Sequence, residues 1–415
     1  MTKKNFSKAW LVTIAALGVN LTLGVLYAWS IIAKALISEL GWTATQTQIP
    51  YMAACAFFAF SMVPGGKFQD KLGPKPVIMT SAVLAAIGFF FSGIFLSVPG
   101  LTIFFGVIFG TAMGTGYAAT TPAAVKWFNS KKRGLISGIV VSGFGLAPVY
   151  IAPLTETLIN RFGIKNSFFL MSGGFFTIIM ILVQAISNPP KDYVVKDEAV
   201  NKTQQEVNAV NYNWREVLKT KQFYLLWTMF CFGTFAGLLL TGQLARIGIE
   251  QAGFNSAYTL IAIYAVANFS GRIGCGVISD KLGRMKTLFL TFALQVIIFM
   301  VFSKLTTPLT LMFGTAVVGF TFGGAATLFP TLCIDYYGMK NFGMNYGMII
   351  TAWGIGGVFG PLLGGLVRDY TGGYAISYTT SALLSVLGAL LCLITKSPNI
   401  SNKKTEENLI SVKQG

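Results

Sequence analysis

The 415-residue sequence predicts an all-α membrane protein whose twelve transmembrane helices form two pseudo-symmetric six-helix bundles. Three observations carry that expectation. Hydrophobic residues make up 54% of the chain and charged residues 11%, with a mean hydropathy of +0.65, whereas soluble domains average about 25% charged. Nearly uncharged runs recur from Trp10 to Ile394, each close to or beyond the ~20 apolar residues that cross a ~30 Å hydrocarbon layer. The first half of the chain also repeats in the second. A water-soluble protein is excluded, and so is a transmembrane β-barrel, whose segments would be short and alternating in polarity.

The spans fall at residues 10–33, 48–69, 76–96, 101–125, 134–158, 166–187, 222–245, 256–279, 286–303, 308–334, 343–367 and 374–395. Residues 188–221 are the one long polar segment between spans, so the chain divides into a bundle at 1–187, a central loop at 188–221, a bundle at 222–395 and a tail at 396–415. The formal charge of +17 is explained by where the basic residues sit. Twenty-four Lys and Arg fall on the side of the termini and the central loop, against six opposite (Lys34, Arg161, Lys165, Arg246, Lys304, Arg368). The positive-inside rule therefore expects both termini in the cytosol, with the protein a multi-pass resident of the plasma or inner membrane. The partner implied by the charge is the bilayer, and nucleic acid is not expected. The first apolar stretch follows a basic start but lacks a convincing small-residue cleavage site, so it reads as a retained helix. The five cysteines have no paired spacing, so no disulfide framework, metal site or cofactor is expected.

Duplication is explicit in the loops. Gly-Lys-Phe-Gln-Asp-Lys-Leu-Gly (66–73) follows the second span and Gly-Val-Ile-Ser-Asp-Lys-Leu-Gly (276–283) the eighth, an offset of 210. Gly110 and Gly319, Gly114 and Gly323, Gly138 and Gly347, and Gly145 and Gly354 agree with that offset within one residue. Such glycines suit close helix approach, whether static or sliding. A carboxylate at a membrane edge is stabilised by a helix N-terminus and by cations. Asp70 and Asp280 are thus expected to latch a cytosolic gate, with Arg133, Lys131 and Lys340 at helix starts suited to pair with them.

The acids define the site by their absence from it. All fourteen Asp and Glu lie in loops, tails or span ends, and the chain has no histidine. Arg272 is the one deep ionisable residue, about 12 Å before Asp280 along its helix. A guanidinium at a helix centre costs at least ~2.5 kcal/mol unless an anion offsets it. Its planar fork suits a carboxylate, which makes Arg272 the expected substrate anchor. The alternatives are snorkelling to the membrane edge, pairing with Asp335, or bonding to backbone carbonyls. Tyr264, Asn268 and Arg272 recur every fourth residue and share one helix face, which either lines a cavity or joins helices by hydrogen bonds.

The repeated Gly-x-x-x-Asp-Lys-x-Gly loop resembles the signature of the major facilitator superfamily, over essentially the whole chain. A narrower resemblance is to the oxalate:formate antiporter family and the related monocarboxylate porters. It is carried by Gly24-Val25-Leu26-Tyr27-Ala28-Trp29-Ser30, Gly114-Thr115-Gly116-Tyr117, Lys126-Trp127-Phe128-Asn129 running into Lys132-Arg133-Gly134-Leu135, Arg272 before Ser279-Asp280-Lys281-Leu282-Gly283-Arg284, Phe322-Gly323-Gly324, and Asn345-Tyr346-Gly347. The resemblance implies that Tyr27, Trp29 and Tyr117 line a cavity beside Arg272, with Phe322 at another aromatic position. Tyr27 and Trp29 also fit an interfacial aromatic belt. Oxalate-exchanging members carry a lysine six residues past the glycine of Asn-Tyr-Gly, where this chain has Trp353.

One cation offsets one carboxylate, so the expected cargo is a small monocarboxylate such as pyruvate, lactate or formate, with oxalate:formate exchange the alternative. That alternative requires Lys34 or Arg246 to reach inward. Either a proton or a counter-anion completes the coupling, by symport or antiport, and a monomer is expected. An enzyme is not expected, because catalysis normally needs nucleophile, acid or base groups in one pocket and the chain has no histidine and no deep acid. A non-transporting membrane carboxylate sensor would keep the same site.

Overall fold

The computed structural model describes residues 3–128, 130–190, 211–254, 257–338 and 341–398, apart from the side chains of residues 3–6, 130–134 and 257. In the first half, α1 (Lys3–Leu23) continues through a 3-10 turn at Gly24–Ala28 into α2 (Trp29–Leu40), and these together make one crossing. They are followed by α3 (Ala44–Leu72), α4 (Pro74–Ile94), α5 (Val98–Leu101) leading into α6 (Gly110–Val125), α7 (Ser130–Leu146) and α8 (Pro148–Ala185). A short α9 (Trp214–Val217) opens the second half, which continues with α10 (Lys221–Ala252), α11 (Ala257–Leu282), α12 (Arg284–Val301), α13 (Pro308–Tyr337), α14 (Phe342–Thr371) and α15 (Ala375–Ile394).

Local chemistry fixes the helix ends. Thr43 caps α3 and Thr307 caps α13, each in a reciprocal box with the residue three positions on, while Pro74, Pro148 and Pro308 stand in first turns where a missing N–H costs nothing. Eleven described stretches are long and apolar enough to cross a membrane, and one of them, Leu135–Ala185, has 51 residues. At ~1.5 Å per residue a straight helix of that length would be about 75 Å, far more than one crossing needs. Gly163, at φ 74° and ψ 168°, turns the chain inside it, so the stretch is two crossings and the total is the expected twelve.

The duplication recurs in backbone geometry. Left-handed glycines at Gly41, Gly73 and Gly163 have counterparts at Gly253, Gly283 and Gly372, all within two residues of the offset of 210. Only glycine holds such φ values without strain, so both copies kept the residue that makes the turn.

Inside each half, glycine lets helices touch backbone to backbone. A Cβ on Gly114 would run into the Phe58 carbonyl of α3, and one on its counterpart Gly323 into the Asn268 carbonyl of α11. Overpacking against unyielding backbone costs about 1–3 kcal/mol. Gly114→Ala and Gly323→Ala are therefore expected to lower the unfolding midpoint in detergent by several degrees. Gly138→Ala, where nothing lies within 4 Å, leaves it unchanged.

The halves meet along three seams: α14 on α3, α11 on α7 and α8, and α10 on α2. On the face away from the termini the seam is tied by polar contacts. Asp369 of α14 accepts from the Ala44 and Thr45 backbone N–H groups at 2.9 and 2.8 Å, satisfying the first turn of α3, and the Gln48 amide donates to the Gly242 carbonyl at 3.3 Å. The segment before α10 is docked on the second half, with Tyr212 N–H donating to the Tyr337 carbonyl and Asn341 and Asn345 donating to the Tyr212 carbonyl.

Candidate functional site

The site is organised by α11, whose helical repeat puts Tyr264, Asn268 and Arg272 on one buried face. Arg272 is 7% exposed, so it does not snorkel into solvent. Its Nε donates to Asn268 Oδ1 at 2.9 Å, and its Nη1 donates to the Val141 carbonyl of α7 at 3.2 Å. The carbonyl alternative is thus realised in part. Asp335 is engaged elsewhere, with Arg284 at 3.6 Å, and among the described residues no carboxylate forms an ion pair with Arg272. The Tyr117 phenol also lies within reach of the fork, and these partners do not use all five guanidinium N–H groups.

Arg272 borders a small cavity at the junction of the halves. The first half contributes Tyr27, Phe58, Tyr117 and Phe144, and the second contributes Phe230, Ala326, Tyr346, Ile350 and Trp353. Arg272 is the only charged side chain in that lining. Phe58 is the hub of the aromatic wall, with its ring 4.9 Å from Trp353, 5.6 Å from Tyr117 and 5.4 Å from Phe144, and Tyr27 meets Phe144 at 5.4 Å. The arrangement presents one positive fork in an apolar box edged by three phenols. Chemically it can orient a small anion that has an apolar or very short remainder.

Four of the eight expected binding residues, Arg272, Tyr117, Tyr27 and Trp353, line this cavity. Asn268 touches Arg272 and orients it. Tyr264 stands outside the lining and donates to the Gly237 carbonyl at 3.2 Å, holding α11 to α10. Phe322 packs behind the wall, 6.1 Å from both Tyr27 and Tyr264. Trp29 belongs neither to the cavity lining nor to a surface belt. It is fully buried, donates from Nε1 to the Thr47 carbonyl at 3.0 Å and packs 4.4 Å from Phe105. It serves to lock the first span against the second. Phe58, Phe144, Phe230 and Tyr346 were not anticipated. Tyr346 stood in the quoted Asn-Tyr-Gly signature, but a phenylalanine in an apolar helix looks the same whether it faces lipid, core or cavity.

Of the expected gate residues, the side chains of Asp70 and Asp280 are described. Asp70 is exposed and forms no ion pair among the described residues. Asp280 pairs at 2.5 Å with Arg284, one turn on, and Arg284 also bonds Ser279 and reaches Asp335. Among the described residues that cluster lies within the second half. The side chains of Arg133 and Lys131, and all of Lys340, lie outside the described residues. On the opposite face Lys34 pairs with Glu156 at 3.8 Å, and Arg246 and Arg368 share Glu250 at 2.6 and 2.8 Å.

Two six-span halves, duplicated in sequence and in backbone, with a cavity at their junction, define a polytopic membrane protein of the two-bundle transporter class. The chain belongs to the Major Facilitator Superfamily, whose family model matches residues 9–309 and 290–414. Among its relatives, the MFS-type transporter YhjX of Escherichia coli is 29% identical over 365 residues, covering 86% of this chain and 88% of that one. The oxalate:formate antiporter of Oxalobacter formigenes is 28% identical over 374 residues, covering 89% and 86%. Monocarboxylate transporter 13 of Rattus norvegicus is 23% identical over 390 residues, covering 92% and 88%. A solved bacterial homologue of the human lysosomal transporter Spinster superimposes with a TM-score of 0.67 at 13% identity, covering 94% of this chain and 97% of that one, a likeness of fold.

Proposed function

We propose that the protein is a secondary active transporter of small monocarboxylates, of the pyruvate, lactate or formate class, with Arg272 as the carboxylate anchor. The observation that carries the reading is the buried guanidinium at the junction of the halves, without a carboxylate partner among the described residues. A charge kept in a low-dielectric site is costly until an anion offsets it, and the open N–H groups have the geometry to bind both oxygens of one carboxylate. Relatives named for oxalate, formate and monocarboxylates support the substrate class.

Transport proceeds by alternating access. The halves rock about the central site, and binding removes the net charge that would otherwise be enclosed when the cavity closes. The excess of Lys and Arg on the terminal side supports a topology with both termini in the cytosol, in which the Asp369 and Gln48 contacts belong to the outer gate. Moving an anion inward against the membrane potential costs ~2.3 kcal/mol per 100 mV. No acidic side chain or histidine lines the cavity to relay a proton. Coupling therefore comes from an exchanged anion or a proton carried with the substrate, or else the flux is outward.

Oxalate exchange is the second reading, and the ion pairs on the outer face weigh against it. Lys34 and Arg246, the two cations that would have to supply the second charge, are paired with Glu156 and Glu250 and absent from the cavity lining. Counterflow in proteoliposomes with labelled pyruvate, lactate, formate and oxalate tests the proposal, with and without an imposed pH gradient to identify the coupling. Monocarboxylates are expected to exchange best, and preferential oxalate exchange would overturn the single-cation reading. Binding without flux of any substrate would identify a sensor. Trp353→Lys places a second cation in the wall. It is expected to raise the oxalate-to-pyruvate rate ratio about tenfold or more, since even one charge-assisted bond is worth that factor.

A further inference from the structure

We propose that Gly145, on α7 of the first half, is a positioning residue that aims the Arg272 guanidinium of the second half and so sets carboxylate affinity. The inference rests on the reading of Arg272 as the substrate anchor. Val141 and Gly145 are one helical turn apart and share a face of α7, and both meet the same side chain. The Val141 carbonyl accepts from Arg272 Nη1 at 3.2 Å. A Cβ built on Gly145 would stand 2.9 Å from Asn268 Oδ1, 3.3 Å from Arg272 Nε and 3.5 Å from Arg272 Nη2. The missing side chain is therefore the slot that the carboxamide–guanidinium pair fills.

The duplication supplies an internal comparison. At the equivalent place in the second half, a Cβ on Gly354 would stand 2.7 Å from the Ala59 Cβ, so that glycine serves helix packing, whereas Gly145 faces the polar atoms of the site. Arg272 is thus steered from two sides, by Asn268 on its own helix and by the α7 backbone of the other half. Two-sided support limits the directions in which the remaining N–H groups point into the cavity, and it holds only while α7 and α11 are in contact. Anchor geometry is in this way tied to the arrangement of the halves.

Gly145→Ala is expected to fold, because the atoms that its methyl group meets are ends of side chains that can swing aside. Displacing Asn268 Oδ1 loosens a bond to a charged group, and such a loss corresponds to about a tenfold change in affinity. With the best carried of labelled pyruvate, lactate and formate, KM should rise about tenfold while the rate at saturation stays within about twofold. Gly138→Ala, on the same helix in open space, should leave both unchanged. In an Asn268→Ala background, Gly145→Ala should add less than about twofold, since the bond it disturbs is already gone.

A KM equal to that of Gly138→Ala, or effects of Gly145→Ala and Asn268→Ala that simply multiply, would overturn the positioning role while leaving the anchor in place. Undiminished transport by Arg272→Ala would instead overturn the anchor, and the positioning role with it.

Discussion

Arg272→Ala is expected to cut monocarboxylate counterflow by about a hundredfold or more, because a bound carboxylate loses two charge-assisted bonds, each worth ~1.5–3 kcal/mol, and about 1.4 kcal/mol is a factor of ten. The protein should stay folded. The side chain makes two hydrogen bonds, to Asn268 and Val141, and their loss is offset by relief of a buried charge that costs at least ~2.5 kcal/mol. An unfolding midpoint in detergent within a few degrees of wild type would show that the lost flux is a site effect. Arg272→Lys keeps the charge but replaces the fork with a point donor. It should fall between the two, with KM raised more than the rate is lowered. Full activity in Arg272→Ala would leave no reason to expect an anion in this cavity.

Asn268→Asp should disable transport for the opposite reason, by supplying the counterion that the site lacks. The new carboxylate would sit where Asn268 Oδ1 now accepts from Arg272 Nε at 2.9 Å. At an effective dielectric of about 20 a contact of ~4 Å is worth about 4 kcal/mol, which a transported carboxylate would have to compete with. Affinity should fall by about a hundredfold, and the unfolding midpoint should hold or rise as the lone charge becomes paired. Asn268→Ala separates charge from shape. It removes the orienting bond without neutralising the cation, so its loss should be about tenfold, smaller than that of the nearly isosteric Asp. Should Asp prove milder than Ala, orientation rather than charge would govern the site.

Much of this site was legible without coordinates because charge is rare in the spans. Arg272 stood out among uncharged residues, and its depth followed from counting helical rise back from Asp280. The four-residue spacing put Asn268 on its face, though not in its actual role, since spacing cannot say whether a carboxamide meets cargo or neighbour. The aromatics show where such reading ends. Tyr27 and Trp29 are two residues apart in one signature, yet Tyr27 borders the cavity and Trp29 is sealed between helices by its bond to the Thr47 carbonyl. Phe58, at the hub of the wall, carries no mark that separates it from Phe57, which is 39% exposed. The gate is another case. Asp280 stood near several possible cations, and the i+4 arginine, Arg284, took it because a neighbour on the next turn needs no second domain to be in place.

The sequence by itself determined the number of crossings, the duplication of a six-helix unit and the presence of one deep cation, since hydropathy, internal repetition and the placing of charge are properties of the chain read in order. Only the tertiary structure decided which side chains share the cavity, that α7 and α11 hold the guanidinium between them, and that its neighbours include a carboxamide and a backbone carbonyl. The physical reason is that helix rotation and the docking of two bundles are set by hundreds of weak contacts and close glycine approaches. Each of those is too small and too common to leave a distinct mark at any single position.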